Sequence, residues 1–193
     1  MVKQFNMKNV LIIFGGPSQK GFNWELYQEL IRFMTASSFS VEQIDLYRED
    51  FDPVIRETES DINNRMISNY QEMIKKADLV IMISPVWWSR CTTMLEGFFD
   101  KILSYGFAFQ TEPKWEPLLS NKKVITFLTL GNKSRWRQRL YYLITFLRLK
   151  FGVLKDCFSM NTKIKFFSVT KSTTVNDKAF LLEKARDIIR GNI

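Results

Sequence analysis

Residues 77–109 read ADLVIMISPVWWSRCTTMLEGFFDKILSYGFAF. From Leu79 to Ser84 the run is almost wholly apolar, the pattern of a strand buried on both faces, and it stops at Pro85. Two tryptophans follow, and from about Thr92 apolar residues return at helical spacing. The stretch is strand, short aromatic loop, helix. In an open parallel sheet, ligands sit outside the carboxyl ends of strands, where strand order reverses. Pro85 to Arg90 then forms the floor of a site. The competing reading makes Trp87 and Trp88 ordinary core aromatics, since tryptophan is mostly buried wherever it occurs. The loop alone does not choose between them.

On the amino-terminal side, Asn9 to Phe14 (NVLIIF) is another nearly continuous apolar run and predicts a second fully buried strand. It ends in Gly15-Gly16-Pro17-Ser18-Gln19-Lys20-Gly21, which suits neither strand nor helix. From Phe22, FNWELYQELIRFM puts Trp24, Tyr27, Leu30, Ile31 and Met34 on one helical face, with Asn23 as the expected N-cap. Ser40 to Tyr47 (SVEQIDLY) roughly alternates, as a strand nearer a sheet edge does, and residues 48–55 (REDFDPVI) form a loop. Ser60 to Lys76 predicts a helix capped by Ser60 or Asp61, with Ile62, Met66, Tyr70 and Met73 inward.

On the carboxyl-terminal side, residues 110–121 (QTEPKWEPLLSN) predict a loop, and Lys122 to Leu130 (KKVITFLTL) a strand. That strand runs into Gly131-Asn132-Lys133-Ser134. A helix from about Arg135 to Phe151, either basic and amphipathic or largely buried, is followed by a strand at Thr162 to Val169 and a helix at Asn176 to Arg190. Five strands alternating with five helices imply right-handed crossovers and a parallel sheet. A chain of 193 residues suits a single domain, residues 1–193. The expected fold is a three-layer α/β flavodoxin-like one: a five-stranded parallel sheet in order 2-1-3-4-5, with helices on both faces. In that order Gly16 to Asn23 faces Pro85 to Arg90 across the switch point, and Thr129 to Asn132 joins them.

Composition narrows the chemistry. There is no histidine, which removes Ser-His and Cys-His nucleophile arrangements and the HExxH metalloproteases. Cys91 and Cys157 form no CxxC pair and read as small buried thiols, so no metal is expected. The amino terminus lacks a signal-peptide core, and no stretch approaches the roughly 20 apolar residues of a membrane span. A cytoplasmic protein without stable membrane insertion is expected. The net charge of +8 is uneven. Residues 1–116 hold 12 Lys or Arg against 16 Asp or Glu, whereas residues 117–155 hold nine Lys or Arg and no acid. Such a segment can bind nucleic acid, an anionic membrane or a phosphate-bearing ligand; of these nucleic acid ranks last, and no nucleic-acid partner is expected.

The three loops have complementary chemistries. Ser18, Lys20, Gly21, Phe22 and Asn23 offer a helix amino end plus a lysine, which favours a phosphate. The motif is neither GxxxxGK[ST] nor GxGxxG, so a nucleotide-triphosphate or Rossmann site is unsupported. Trp87 and Trp88 offer flat apolar surface for a planar heteroaromatic ring. Thr129, Gly131 and Asn132 offer polar groups for its edge. Together they fit a flavin, with its phosphate at the first loop and its ring between the other two.

The segments VLIIFGGPSQKGFN, DLYREDFDPVI and above all residues 77–109 resemble the flavodoxin-like NAD(P)H:quinone oxidoreductase family, along residues 8 to about 132. The resemblance implies a flavin-dependent enzyme reducing quinones or related electron-poor aromatics by ping-pong hydride transfer through flavin N5. FAD is the implied cofactor, FMN the alternative, and NAD(P)H the co-substrate. It further implies that Ser18, Lys20, Gly21, Phe22 and Asn23 hold the phosphates and ribityl. Pro85, Val86, Trp87, Trp88 and Ser89 would line the isoalloxazine, and Thr129, Leu130, Gly131 and Asn132 would meet its pyrimidine edge. Phe107 and Phe109 would reach the partner subunit's substrate pocket in a homodimer.

Departures from the family pattern are specific. Gly16 stands where a histidine often opens the first loop, and the third loop, TLGN, keeps only Thr129 and Gly131 of two threonines and two glycines. Trp136 or Tyr141 would replace an aromatic and a histidine that some members place over the flavin. Arg135, Arg137 and Arg139 either meet the 2′-phosphate of NADPH or form a solvated helix start. Leu140 to Phe151 is expected in the core or in a dimer contact. Other roles open to the resemblance are a flavin-binding regulatory subunit of a transporter, an FMN-dependent reductase or azoreductase, and a one-electron carrier.

Overall fold

A computed structural model describes residues 8–56, 61–131 and 134–193. Its central sheet pairs β1 (Asn9–Phe14), β2 (Ser40–Asp45), β3 (Leu79–Pro85), β6 (Lys123–Leu130) and β7 (Thr162–Ser168), all parallel. The order is β2-β1-β3-β6-β7, which is 2-1-3-4-5 when only these five strands are counted. β1, β3 and β6 are buried along almost their whole length because they are central and covered on both faces. β2 and β7 are edges, and β7 alternates buried with exposed positions, including exposed Lys163 and Lys165.

Side-chain alternation divides the core in two. Val10, Ile12, Phe14, Leu79, Ile81, Ile83, Ile125 and Phe127 pack with α1 (Phe22–Ala36) and α6 (Val175–Arg190). Leu11, Ile13, Val80, Met82, Val124 and Leu128 pack on the other face with α2 (Asp61–Lys76), α3 (Thr93–Ile102) and the end of α4 (Arg135–Leu149). Helices therefore cover both faces, as expected. Among the described residues, no helix is long and apolar enough to cross a membrane.

Several local expectations are corrected. Residues 110–121 are not all loop, since β4 (Phe109–Gln110) and β5 (Glu116–Pro117) form a short antiparallel pair. α1 begins at Phe22 with Gly21 as N-cap, so Asn23 is not the cap. Phe22 and Leu26 are fully buried on α1, while Trp24 and Ile31 are only partly so. The helix from Arg135 is not largely buried. Only Thr145 and Leu149 are buried in it, while Trp136, Leu140, Leu143, Ile144 and Leu147 stay exposed on one side. It passes through a π-helical turn at Lys150–Leu154 into α5 (Lys155–Phe158). Ser60, one of the two caps expected for α2, lies outside the described residues.

Candidate functional site

β1, β3 and β6 end level with one another: Phe14 pairs with Ile83, and Pro85 with Thr129. The three loops that follow therefore open on the same side. Close packing shapes the first. A Cβ on Gly16 would lie 2.4 Å from the Phe14 ring, so no larger residue fits without displacing that ring. Thr92 Oγ1 donates to the Gly15 carbonyl at 2.6 Å, tying the first loop to the N-cap position of α3. Gly21 has φ 83° and ψ −178°, a region essentially restricted to glycine. Having no side chain, it leaves the first-turn amides of α1 uncapped. Those amides and the helix dipole form the positive pole of the site. Ser18 Oγ accepts from the Lys20 amide at 3.1 Å, which folds the loop back before the helix starts.

The second loop is a tight reverse turn. Trp87 and Arg90 exchange two backbone hydrogen bonds of 2.8 and 3.0 Å, and the residues between them, Trp88 and Ser89, have φ of 51° and 62°. Two positive φ angles at the centre define a turn that normally selects glycine or asparagine. A tryptophan held there carries backbone strain of about 1–2 kcal/mol. The strain buries nothing, because Trp88 is 83% exposed and Trp87 45%. Neither is a core aromatic. At the end of this loop the Cys91 amide donates to Glu96 at 2.7 Å, and Arg148 of α4 donates to the same oxygen. Burial, and then the Glu96 carboxylate, push the Cys91 thiol well up, so it is no nucleophile at neutral pH.

The third loop is locked to both others. The Val86 amide donates to the Thr129 carbonyl at 2.9 Å, and Asn23 Nδ2 donates to Thr129 Oγ1 at 2.9 Å. Asn23 Oδ1 is buried and has no hydrogen-bond partner among the described residues. Leaving a buried acceptor unmet costs about 1–3 kcal/mol, so a ligand hydroxyl or N–H is what this position fits.

These groups line one cleft of about 1010 Å3. Its walls are Lys20 to Asn23, Pro85 to Trp88 and Thr129 to Gly131, with Tyr141 and Val169 at the side. Most of the expected residues are thus brought together. Ser18, Ser89 and Trp136 do not line it; Trp136 is 63% exposed with the Arg137 guanidinium over its ring. Phe107 and Phe109 are half-buried near α3, with Phe109 stacked on Trp115 at 4.7 Å, outside this cleft. Asn132 lies outside the described residues. Arg135, Arg137 and Arg139 are exposed at the start of α4. Val169 was not expected in the lining; it follows β7, where its amide donates to the Leu130 carbonyl at 2.9 Å.

A family model described as flavodoxin-like fold matches residues 8–186. The chain belongs to the flavodoxin-like fold family. An uncharacterized NAD(P)H oxidoreductase of Haemophilus influenzae is 32% identical over 131 residues, covering 64% of this flavodoxin-like chain and 65% of that protein. Human ribosyldihydronicotinamide dehydrogenase [quinone] is 28% identical over 152 residues, covering 66% and 65%. The matches thus span just under two thirds of these relatives' length. The crystal structure of Smu.1420 from Streptococcus mutans UA159 superposes with a TM-score of 0.80 at 25% identity, covering 95% of this chain and 99% of that one. The flavodoxin-like fold is therefore matched along nearly the whole chain, the α4 to α6 region included.

Proposed function

We propose that this chain holds a flavin in the cleft and uses NAD(P)H to reduce quinones or related electron-poor aromatics. The observation that carries the reading is the pairing, in one cleft, of an uncapped helix amino end beside Lys20 with the exposed tryptophan wall of Trp87 and Trp88. The unmet Asn23 Oδ1 supplies an acceptor between these poles. The oxidoreductase names of the two sequence relatives support it.

Lys20 and the first-turn amides of α1 bind the phosphate end, as point charge and dipole. Asn23 takes a ribityl hydroxyl on Oδ1 while Thr129 fixes its amide from the other side. Trp87 and Trp88 present ring faces to the isoalloxazine and shed water from it. Leu130 and Gly131 would meet the ring's polar edge, as is expected too of Asn132, which lies outside the described residues, and Tyr141 lines the same cleft. Hydride exchange between NAD(P)H and an acceptor is the chemistry a bound flavin supplies; the protein's part is binding and orientation. FAD is the flavin proposed and FMN the alternative. A homodimer is proposed with it, in which Phe107 and Phe109 reach the partner's cleft and the exposed apolar side of α4 contributes contact. The core alternative for Leu140 to Phe151 is closed to that exposed side.

The test is direct. The purified protein is expected to be yellow, to release one flavin species on denaturation, to oxidise NAD(P)H only when a quinone is present, and to sediment as a dimer. Colourless protein that takes up neither FAD nor FMN refutes the reading. Bound flavin with negligible turnover across quinones and azo compounds refutes the enzyme and favours a regulatory flavin-binding subunit.

A further inference from the structure

Arg48 lines no part of the cleft, yet it grips the backbone of the first loop twice. It lies in the turn after β2, the edge strand paired with β1. Its Nη1 donates to the Gly16 carbonyl at 2.9 Å and its Nη2 to the Pro17 carbonyl at 2.8 Å. Nη1 also donates to Asp45 Oδ1 at 3.1 Å, which holds the guanidinium in register. Asp45 is in turn fixed, since its Oδ1 accepts from the Tyr47 amide at 3.2 Å and its own amide donates to Glu49 at 3.2 Å. Tyr70 of α2 donates to the other Glu49 oxygen. A chain of bonds thus runs from α2 through the β2 turn to the glycine loop.

The arrangement has a geometric consequence for anion binding. Two consecutive carbonyls on one guanidinium use a planar fork that a lysine ammonium cannot reproduce. A trans peptide is planar, so turning the Pro17 carbonyl toward Arg48 sends the Ser18 N–H to the opposite side. The carbonyl oxygens, whose negative ends would repel a phosphate, are occupied by Arg48. Charge-assisted bonds to two adjacent peptides hold this orientation more firmly than neutral ones would. The loop just beyond, Ser18 to Gly21, is exposed and contains no buried apolar residue to fix it by packing.

We propose that Arg48 is a positioning residue: it presets the glycine loop to receive the phosphate end of the flavin without contacting the flavin itself. The proposal rests on the flavin reading of the cleft. It is tested by fluorescence titration of apoprotein with FMN and with riboflavin, which lacks the phosphate, using wild type, R48A and R48K. R48A is expected to weaken FMN binding about 10-fold or more through lost preorganisation. Riboflavin affinity is expected to stay within about twofold of wild type, since the ring walls do not involve Arg48. R48K is expected to behave like R48A, because it restores charge without the fork. Equal losses for both flavins, an unchanged FMN affinity in R48A, or full recovery in R48K overturns the proposal while leaving the flavin cleft standing. Wild-type protein that binds neither flavin overturns both. Should R48A fail to fold, R48K carries the same comparison, with a thermal melt of the apoprotein as the control.

Discussion

Trp88→Ala separates binding from stability more cleanly than any other change in the cleft. Trp88 is 83% exposed, so the fold hides only about a sixth of its side chain. On a tryptophan of roughly 250 Å2 that is about 40 Å2, worth at most about 1 kcal/mol of burial at ~25 cal/mol/Å2. Alanine is no more at ease than tryptophan at a φ of 51°, so no relief of strain offsets or adds to this. For a chain of this size, about 1 kcal/mol moves the melting midpoint by roughly 2–4 °C. Stacking of an aromatic ligand on the indole is worth about 1–3 kcal/mol, or roughly 5- to 150-fold in Kd. Flavin titration and a ligand-free thermal melt, run on the same preparations, should thus give a large loss of affinity beside a small shift in Tm. Trp88→Phe should recover most of the affinity. Flavin affinity unchanged within about twofold would refute the stacking role, and a Tm drop beyond about 8 °C would show that the indole is structural after all.

Three further outcomes follow from packing, hydrogen bonding and titration. In Gly97→Ala the new Cβ would sit 2.3 Å from Pro53 Cβ and 2.5 Å from its carbonyl oxygen, so α3 and the loop at Phe51 to Val54 must part. A loss of about 1–3 kcal/mol in urea unfolding is expected, and an unchanged midpoint would show that the loop yields freely. Thr129→Val removes the acceptor of Asn23 Nδ2, which is expected to cost about 1–3 kcal/mol and to weaken flavin binding as the Asn23 amide loses its orientation. A variant matching wild type in both measurements would refute the Asn23 role. Tyr27 has its pKa pushed from 10.0 up to about 12, by burial first and then by the Asp45 and Glu49 carboxylates. Folding therefore favours the neutral phenol: this contribution is intact below pH 10 and is lost as pH rises through 12. Tyr27→Phe should flatten that part of the urea-midpoint profile, and an equally steep alkaline decline would mean that Tyr27 does not contribute.

The central architecture was legible because its signals are long and redundant. β1 and β3 are nearly continuous apolar runs and β6 is rich in β-formers, each ending at proline or just before glycine, and such runs placed between amphipathic helices allow few topologies. The cleft followed from the topology, since strands adjacent across the switch point bring their loops together. What escaped notice depends on single contacts. Asn23 has the chemistry of a cap, yet its amide is drawn to Thr129, a residue 106 positions away. Trp136 and Tyr141 look alike as aromatic replacements, but five positions on a helix turn them roughly 140° apart, so Tyr141 meets the cleft and Trp136 meets water. β4 and β5 are two residues each, too short for any periodic signal. α4 carries apolar residues nearly all round, and its pattern alone does not tell which side the fold covers. The grip of Arg48 on the first loop gave no signal, because its partners there are backbone carbonyls that every sequence possesses.

The tight turn at Trp88 and Ser89 also bears on how this chain tolerates mutational drift. Its two positive-φ positions are ones where glycine or asparagine would be the more stable occupant. Selection for heat resistance alone is therefore expected to strip the tryptophan from a randomised library at position 88, whereas selection for ligand retention keeps an aromatic there. The two regimes pull one codon in opposite directions, and the residue they settle on measures how much stability this protein trades for its ligand.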